Sequence, residues 1–333
     1  MQGDLILVTG ATGFVGSAVA RALAGRGYRL RLLVRPGSNR RNLAGLEAEL
    51  AEGDLTEAGS LGRAVAGCRY LVHVAADYRL WVPDPEAMLR ANVGGTLALM
   101  QAAQGAGVER IVYCSSVAAL GLTEDGSPAD ETTQVKEDAI VGTYKKSKYQ
   151  AEQAVLDLVA QSGLPAVIVN PAAPVGPRDI RPTPTGKMIA DAAAGRMPAY
   201  LDTGLCIVHV DDVGKGHALA LERGRVGERY ILGGENLSMA EILALTDEAV
   251  GKRRRRAKLW EGLLWPIAAA SEALAPRLGF EPVVTRDALI MARKKMFFSS
   301  AKAMRELGYN PRPARAAIED AVAWFRENGM VRA

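Results

Sequence analysis

Near its start the chain runs Leu5-Ile6-Leu7-Val8-Thr9-Gly10-Ala11-Thr12-Gly13-Phe14-Val15-Gly16. Four consecutive apolar residues read as a strand buried on both faces. Three glycines spaced three apart follow, and residues 14–24 then carry helical periodicity. Gly10 permits the sharp turn, Gly13 lets the backbone approach a pyrophosphate, and Gly16 lets the helix pack closely on the sheet. A helix beginning there turns free N–H groups and a positive dipole end toward the phosphates. Strand, glycine turn and helix in that order separate this stretch from a chance triad of glycines. Gly10, Thr12, Gly13, Phe14, Val15 and Gly16 are therefore candidate cofactor-binding residues.

Outward from this turn, short apolar runs alternate with helical patterns. Strands are expected at 30–34, 70–74, 110–114 and 166–169, with a third strand ending just before Glu52. Helices are expected at 57–66, 84–106 and 143–162. Such alternation predicts an α/β fold, a Rossmann-type doubly wound parallel sheet with helices on both faces. After residue 171 the texture changes, with Pro171, Pro174, Pro177, Pro182 and Pro184 punctuating a loop. Runs at 206–210 and 229–232 are expected to rejoin the sheet. Helices are expected at 211–223, 238–249, 259–278, 286–294, 299–306 and 313–328. The expected domains are 1–171, which binds NAD(P), and 172–333, a smaller and mainly helical substrate lobe.

The 333 residues are 49% hydrophobic and 23% charged, which excludes a disordered chain, a coiled coil and a collagen-like repeat. Aromatics are only 5%, too few for a base-stacking surface, so nucleic acid is not an expected partner. Cys68, Cys114 and Cys206 are an odd number without CxxC spacing, which fits a reducing cytoplasm rather than a disulfide framework or zinc site. The opening MQGDLILVTG does not read as a signal peptide, and no apolar run approaches the ~20 residues that span a bilayer. Net charge is +4, and residues 252–258, KRRRRAK, hold six of the bases. Without them, 35 bases face 37 acids.

Dinucleotide folds often place an acid at the end of the second strand, where it binds the ribose 2′-OH of NAD. Here Val34 is followed by Arg35, and Arg40 and Arg41 stand a few residues on. Guanidinium groups bind a 2′-phosphate that a carboxylate would repel, which favours NADP(H) over NAD(H). Asp54, after the third strand, is placed to approach the adenine edge. Farther along, Tyr144 and Lys148 are four residues apart in a helical stretch and share one face. A phenol with a reference pKa of ~10 is a poor base near neutrality. A neighbouring ammonium and an oxidised nicotinamide both favour its phenolate. Upstream, Ser115-Ser116 ends a strand, where a hydroxyl can hold a substrate oxygen. Serine, tyrosine and lysine in this order behind a glycine turn point to hydride transfer at a carbonyl or secondary alcohol. An intact set also speaks against a non-catalytic NADPH-binding scaffold or sensor.

These motifs resemble an extended short-chain dehydrogenase/reductase of the NAD-dependent epimerase/dehydratase type over essentially the whole chain. The supporting segments are TGATGFVG at 9–16, GDL at 53–55, VHVAA at 72–76, NVGGT at 92–96, SS at 115–116, YKKSK at 144–148, GPRD at 176–179, HVDDV at 209–213 and ELGY at 306–309. The resemblance implies Ser116 and Tyr144 as partners of the substrate oxygen, and Lys148 as the residue that holds the ribose and tunes Tyr144. It implies that Asn92 supports the geometry or a proton relay. Leu55, Ala75 and Ala76 would lie near the cofactor, and Asn170 near the nicotinamide or a substrate phosphate. Segments 75–85, 170–186 and 291–303 are most similar to the hopanoid-associated sugar epimerase family. The wider group resembles dihydroflavonol reductases and 3β-hydroxysteroid dehydrogenases. Sugar dehydratases carry an acid pair after the catalytic serine or threonine; Val117-Ala118-Ala119-Leu120 here predicts no dehydration. UDP-sugar epimerases usually carry an Arg where this chain has Leu205-Cys206-Ile207-Val208.

Weaker signals complete the reading. His73 lies within a strand and reads as structural. His209 and His217 are eight apart without nearby Cys, and read as packing or capping residues rather than metal ligands. Tyr78 and Trp81 are candidate walls of the substrate pocket, joined by Ser115 and Asn170. The basic block precedes Trp260, Leu263, Leu264 and Trp265, a pairing that suits a helix lying on an anionic membrane surface. The alternative for the block is a solvated loop. Expected partners are a small carbonyl or alcohol substrate, lipid- or sugar-linked, the inner membrane surface as a peripheral contact, and a second copy of the chain.

Overall fold

Ile6 and Val8 face one side of the first strand and Leu7 the other, and each has a helical layer to bury it. The computed structural model describes residues 3–331 apart from 80, 81, 83, 136–139, 141, 261, 263, 279–288 and 290–293. The first half contains β1 (Leu5–Thr9), α1 (Phe14–Ala24), β2 (Arg29–Val34), β3 (Ala48–Glu52), α2 (Ala58–Val65), β4 (Tyr70–His73), α3 (Pro85–Leu89), α4 (Gly95–Gly105), β5 (Arg110–Cys114), α5 (Thr143–Ser162) and β6 (Ala166–Pro171). Then follow β7 (Ala173–Val175), α6 (Pro184–Ala193), β8 (Ala199–Leu201), β9 (Gly204–His209), α7 (Val210–Arg223), β10 (Arg229–Leu232), β11 (Glu235–Ser238), α8 (Met239–Ala249), β12 (Ala257–Leu259), α9 (Trp265–Leu278), β13 (Lys295–Met296), α10 (Ala301–Leu307) and α11 (Ala314–Glu327).

Seven parallel strands form one sheet in the order β10-β6-β5-β4-β1-β2-β3. This is the expected Rossmann-like layering. Its strand order reverses between β1 and β4, so the crevice for a ligand opens at their carboxyl ends. One apolar layer joins Ile6, Val8, Leu30 and Leu32 to α1 and α7. The opposite layer joins Leu7, Leu33, Leu71 and Ile111 to α2, α4 and α5.

Three expectations are corrected. The 206–210 run does not rejoin the main sheet. As β9 it belongs to a four-stranded sheet, where it pairs with β7, β11 and β13. The place beside β6 is taken by β10, as expected of 229–232. Next, α7 packs on α1 rather than within the lobe. A Cβ on Gly214 would come within 2.5 Å of the Ala18 carbonyl oxygen, so this contact needs the missing side chain. Finally, the expected helix at 84–106 is broken by a π turn over Arg90–Gly94, which leads into the Gly94-Gly95 pair. The helix expected at 286–294 lies mostly outside the described residues, and that expected at 259–278 begins only at Trp265.

The lobe has its own core, in which Val175, Ile189 and Ile207 meet Ile242, Ile318 and Phe325. At its edge the basic block turns partly inward. Residues 253–256 alternate out and in, so Arg254 and Arg256 point back toward α8 while Lys252, Arg253 and Arg255 stay exposed. Arg256 grips Asp247 with two bonds of 2.6 and 2.8 Å and donates Nε to the Met197 carbonyl. Arg254 bonds the same carboxylate at 2.7 Å and caps the carbonyls of Ala192 and Ala193 at the end of α6. An anion inside the fold thus answers two of the block's charges. Burial pushes the Asp247 pKa up, but its guanidinium partners outweigh burial and hold it below the usual carboxylate range.

Side chains Arg256 and Asp247 are only 5% and 6% exposed. Asp247→Ala strands the guanidiniums and is expected to cost ~3–5 kcal/mol, read as a lowered urea midpoint. A loss below ~1 kcal/mol would remove this pair from the lobe's stability. The contribution is present above the ordinary carboxylate pKa of ~3.9 and is lost as pH falls through the lowered native value.

Candidate active site

At the end of β1, Gly10 adopts φ +75°. A Cβ there would sit 2.7 Å from the Ala75 amide nitrogen, so β1 and β4 converge at the strand-order reversal only because the side chain is missing. A Cβ on Gly16 would come 2.1 Å from the Gly10 carbonyl oxygen. Its task is to let α1 close on the turn itself, not on the sheet. Helix α1 starts with no side-chain cap and no acid in its first turn, leaving its positive end available to an anion. Asn42, which sequence reading missed, holds the turn from outside. Its buried amide is shared among the carbonyls of Thr12 (3.2 Å), Gly13 (3.3 Å) and Arg178 (3.1 Å). No periodicity marks an asparagine in a single short turn after Arg40 and Arg41.

A buried hydrogen-bond chain runs from this turn to α5. Thr9 Oγ1 accepts the amides of Val74 and Ala75, both at 3.1 Å. Its own proton then goes to His73 Nδ1, 2.7 Å away. That assigns the histidine proton to Nε2, which donates to Thr96 Oγ1 at 3.0 Å, and Thr96 donates to the Asn92 carbonyl at 2.6 Å. Burial, aided by the Lys148 charge, pushes the His73 pKa down to about 3, so the ring is neutral. Asn92 lies on the π turn, a feature frequent at functional sites. Its Oδ1 accepts the Asp77 amide at 2.7 Å, and its Nδ2 donates to the Asp77 carbonyl (2.8 Å) and Ser147 Oγ (3.0 Å). Ser147 in turn donates to the Tyr144 carbonyl at 2.8 Å. With both amide protons committed, Asn92 serves the geometry and has none left for a relay.

Tyr144 and Lys148 leave the same face of α5 toward the end of β5. Lys148 Nζ donates to the Cys114 carbonyl at 2.7 Å and stands 5.0 Å from the centre of the Tyr113 ring. Burial lowers the lysine's pKa. It also pushes the Tyr144 phenol up to about 12, against a hydrogen bond from Ser116. Ser116 Oγ accepts the Ala118 amide at 3.1 Å, so its proton is free to donate. Ser115 is buried, its hydroxyl beside the Glu152 carboxyl. Asn170 is fully buried too; its amide donates to the Ser116 carbonyl (3.0 Å) and Glu152 Oε2 (2.6 Å), so it supports the site from below. Glu152 was missed, although the spacing 144, 148, 152 is a signal that periodicity offers.

At the cofactor edge, Arg35 is exposed directly after β2. Arg40 pairs with Glu52 at 2.8 Å, so its charge is already answered. Asp54 accepts the amide and hydroxyl of Thr56 at 2.9 and 2.7 Å; these bonds hold its pKa below the usual range and tie its carboxylate into a turn. Leu55 packs against Gly95, where a Cβ would approach within 2.8 Å. Ala76 is half-buried beside the turn, and Tyr78 is 43% exposed. Trp81 lies outside the described residues. His209 caps α7 by accepting the Asp211 amide at 3.0 Å, and its other ring nitrogen meets Asp320.

A doubly wound sheet, a glycine turn and a Ser–Tyr–Lys set at the strand ends define a nucleotide-dependent oxidoreductase. Residues 6–233 match the model of the NAD dependent epimerase/dehydratase family, and the chain belongs to that family. Its relatives include a putative dihydroflavonol 4-reductase of Synechocystis, 44% identical over 99% of this chain and 96% of that protein. Sterol demethylase protein B of Methylococcus capsulatus is 38% identical over 98% of this chain and 99% of that protein. Among solved structures, gox2253 is 62% identical, covers 99% of this chain and 100% of that one, and superposes with a TM-score of 0.90.

Thr9→Val removes the hydroxyl that two amides and His73 share. It is expected to destabilise by ~1–3 kcal/mol for each buried group left unpaired. Cofactor affinity, read by quenching of intrinsic fluorescence, should fall with it. A variant with wild-type stability and affinity would show that the chain of bonds holds nothing.

Proposed function

We propose that the chain is an NADP(H)-dependent carbonyl reductase, running reversibly as a secondary-alcohol dehydrogenase on an apolar, ring-containing or lipid-linked substrate. The observation that carries this is the convergence of Ser116, Tyr144 and Lys148 at the end of β5, which β4 separates from β1 and its glycine turn. The turn fits a dinucleotide: its helix end is uncapped, and the space in front of exposed Gly13 stays open because that residue has no Cβ. Gly10, Gly13 and the first turn of α1 would hold the diphosphate, Lys148 the ribose, and Arg35 a 2′-phosphate. When bound, the nicotinamide supplies or accepts the hydride. Ser116 and Tyr144 bond the substrate oxygen between them. Raised toward 12, Tyr144 keeps its proton near neutrality and gives it to that oxygen as the carbonyl is reduced. The Lys148 ammonium steadies the phenolate that remains.

The names of the two relatives, a dihydroflavonol reductase and a sterol demethylase protein, support a polycyclic or terpenoid substrate class. Sugar epimerisation, the alternative favoured by the hopanoid-associated resemblance, uses the same residues if the ketone turns over before the hydride returns. Membrane contact now rests on fewer charges. Lys252, Arg253 and Arg255 are exposed and form no ion pair with another described residue, and Trp260 beside them is 72% exposed. Among the described residues no helix is long and apolar enough to cross a membrane, so the contact proposed is peripheral.

Tritiated NADPH is offered with a dihydroflavonol and a 3-ketosteroid. Tyr144→Phe should bind NADPH normally but lose at least ~10²–10⁴-fold in turnover; full turnover rejects the catalytic assignment. Arg35→Asp should weaken NADPH by ~1–3 kcal/mol and spare NADH, whereas equal binding of the two cofactors by the wild type overturns the NADP(H) preference. Sedimentation with anionic vesicles at low salt should fall in Lys252/Arg253/Arg255→Ser and at high salt. If the wild type stays in the supernatant, there is no membrane contact.

A further inference from the structure

Glu152 is 0% exposed, two helical turns beyond Tyr144 and one beyond Lys148 on the same face of α5. A carboxylate so deeply buried is costly unless something answers it. Its Oε2 accepts the Asn170 amide at 2.6 Å, and Arg229 from β10 stands 3.4 Å from Oε1. Asn170 spends the same amide nitrogen on the Ser116 carbonyl. The end of β5 is therefore gripped twice from α5: at Cys114 directly by Lys148, and at Ser116 by Glu152 through Asn170. Building on the oxidoreductase reading, we propose that Glu152 is a positioning residue that seats Ser116 through Asn170.

The electrostatics follow from what surrounds it. Facing Glu152 are Lys148 on its own helix, Ser115 and Tyr113 from β5, Asn170 from β6 and Arg229 from β10. Burial raises the Glu152 pKa, and the Asn170 bond and the Arg229 charge work against that rise. What Asn170 takes from residue 152 is an acceptor oxygen at this reach, charged or neutral. Shortening the side chain should withdraw that oxygen and loosen Ser116.

Two variants test the seat. Glu152→Gln keeps an oxygen at the same reach for Asn170; Glu152→Asp withdraws it. Both are read by kcat and KM for whichever ketone reacts, and by NADPH affinity. Glu152→Asp should lose ~10-fold in kcat with NADPH affinity unchanged, and Glu152→Gln should keep kcat within about threefold of the wild type. Equal losses in both variants, wild-type kcat in Glu152→Asp, or a fall in NADPH affinity that matches the fall in kcat overturns the proposal. If Glu152→Gln does not fold, the Asp variant decides: lowered kcat with normal NADPH affinity upholds the proposal, and wild-type kcat overturns it. If neither folds, Glu152 belongs to stability alone and the proposal falls. Should Tyr144→Phe retain full turnover, it is the oxidoreductase reading that fails. A dead Tyr144→Phe with wild-type kcat in Glu152→Asp removes Glu152 only.

Discussion

The close approach of β1 and β4 at Gly10 and Ala75 is the constraint on which the rest of the structure depends. There the chain turns away from β1 with no side chain to hold it apart from Ala75. The Thr9 hydroxyl locks the approach by accepting both Val74 and Ala75 amides. Because that hydroxyl must still place its own proton, the tautomer of His73 is determined, then the orientation of Thr96, then the seat of Asn92. One backbone crossing thereby sets the direction of polar bonds as far as Ser147 and the start of α5. A neutral histidine suits this place, since a second ring proton would meet an oxygen that has only a proton to offer.

Around the site, buried polar groups hold one another in place. Lys148, Glu152, Asn170 and His73 are all nearly or fully inaccessible, an unusual density of polarity for a sheet interior. Each is answered by a group on another strand or helix. Burial moves the Tyr144 phenol and the Lys148 ammonium in opposite directions, toward their neutral forms. On the proposed mechanism, a proton donor and the cation that would steady its conjugate base thus share one helix face before any substrate arrives.

The lobe applies the same rule to charge. Five consecutive bases look like a surface built for an external anion. Yet alternation along an extended segment sends Arg254 and Arg256 inward to Asp247 and to the open end of α6. The lobe also lends α7 to the main sheet, since Gly214 lets that helix lie against the Ala18 backbone. The two parts are therefore interleaved in space, although the chain's texture changes at one place.

Read alone, the sequence determined what depends on neighbours a few residues apart. The glycine spacing at 10, 13 and 16, the buried runs of β1, β5 and β6, and the shared face of Tyr144 and Lys148 are local patterns, and they placed the turn, most of the sheet and the reacting groups. Tertiary structure alone decided the partners. Asn42 on the Thr12 carbonyl, Glu152 on Asn170, Asp247 on Arg256 and β9 beside β7 rather than β6 all join residues from different elements of the fold. The physical reason is that periodicity reports which face a residue lies on. Which buried donor meets which buried acceptor is settled only when separate elements pack and each polar group must find a partner.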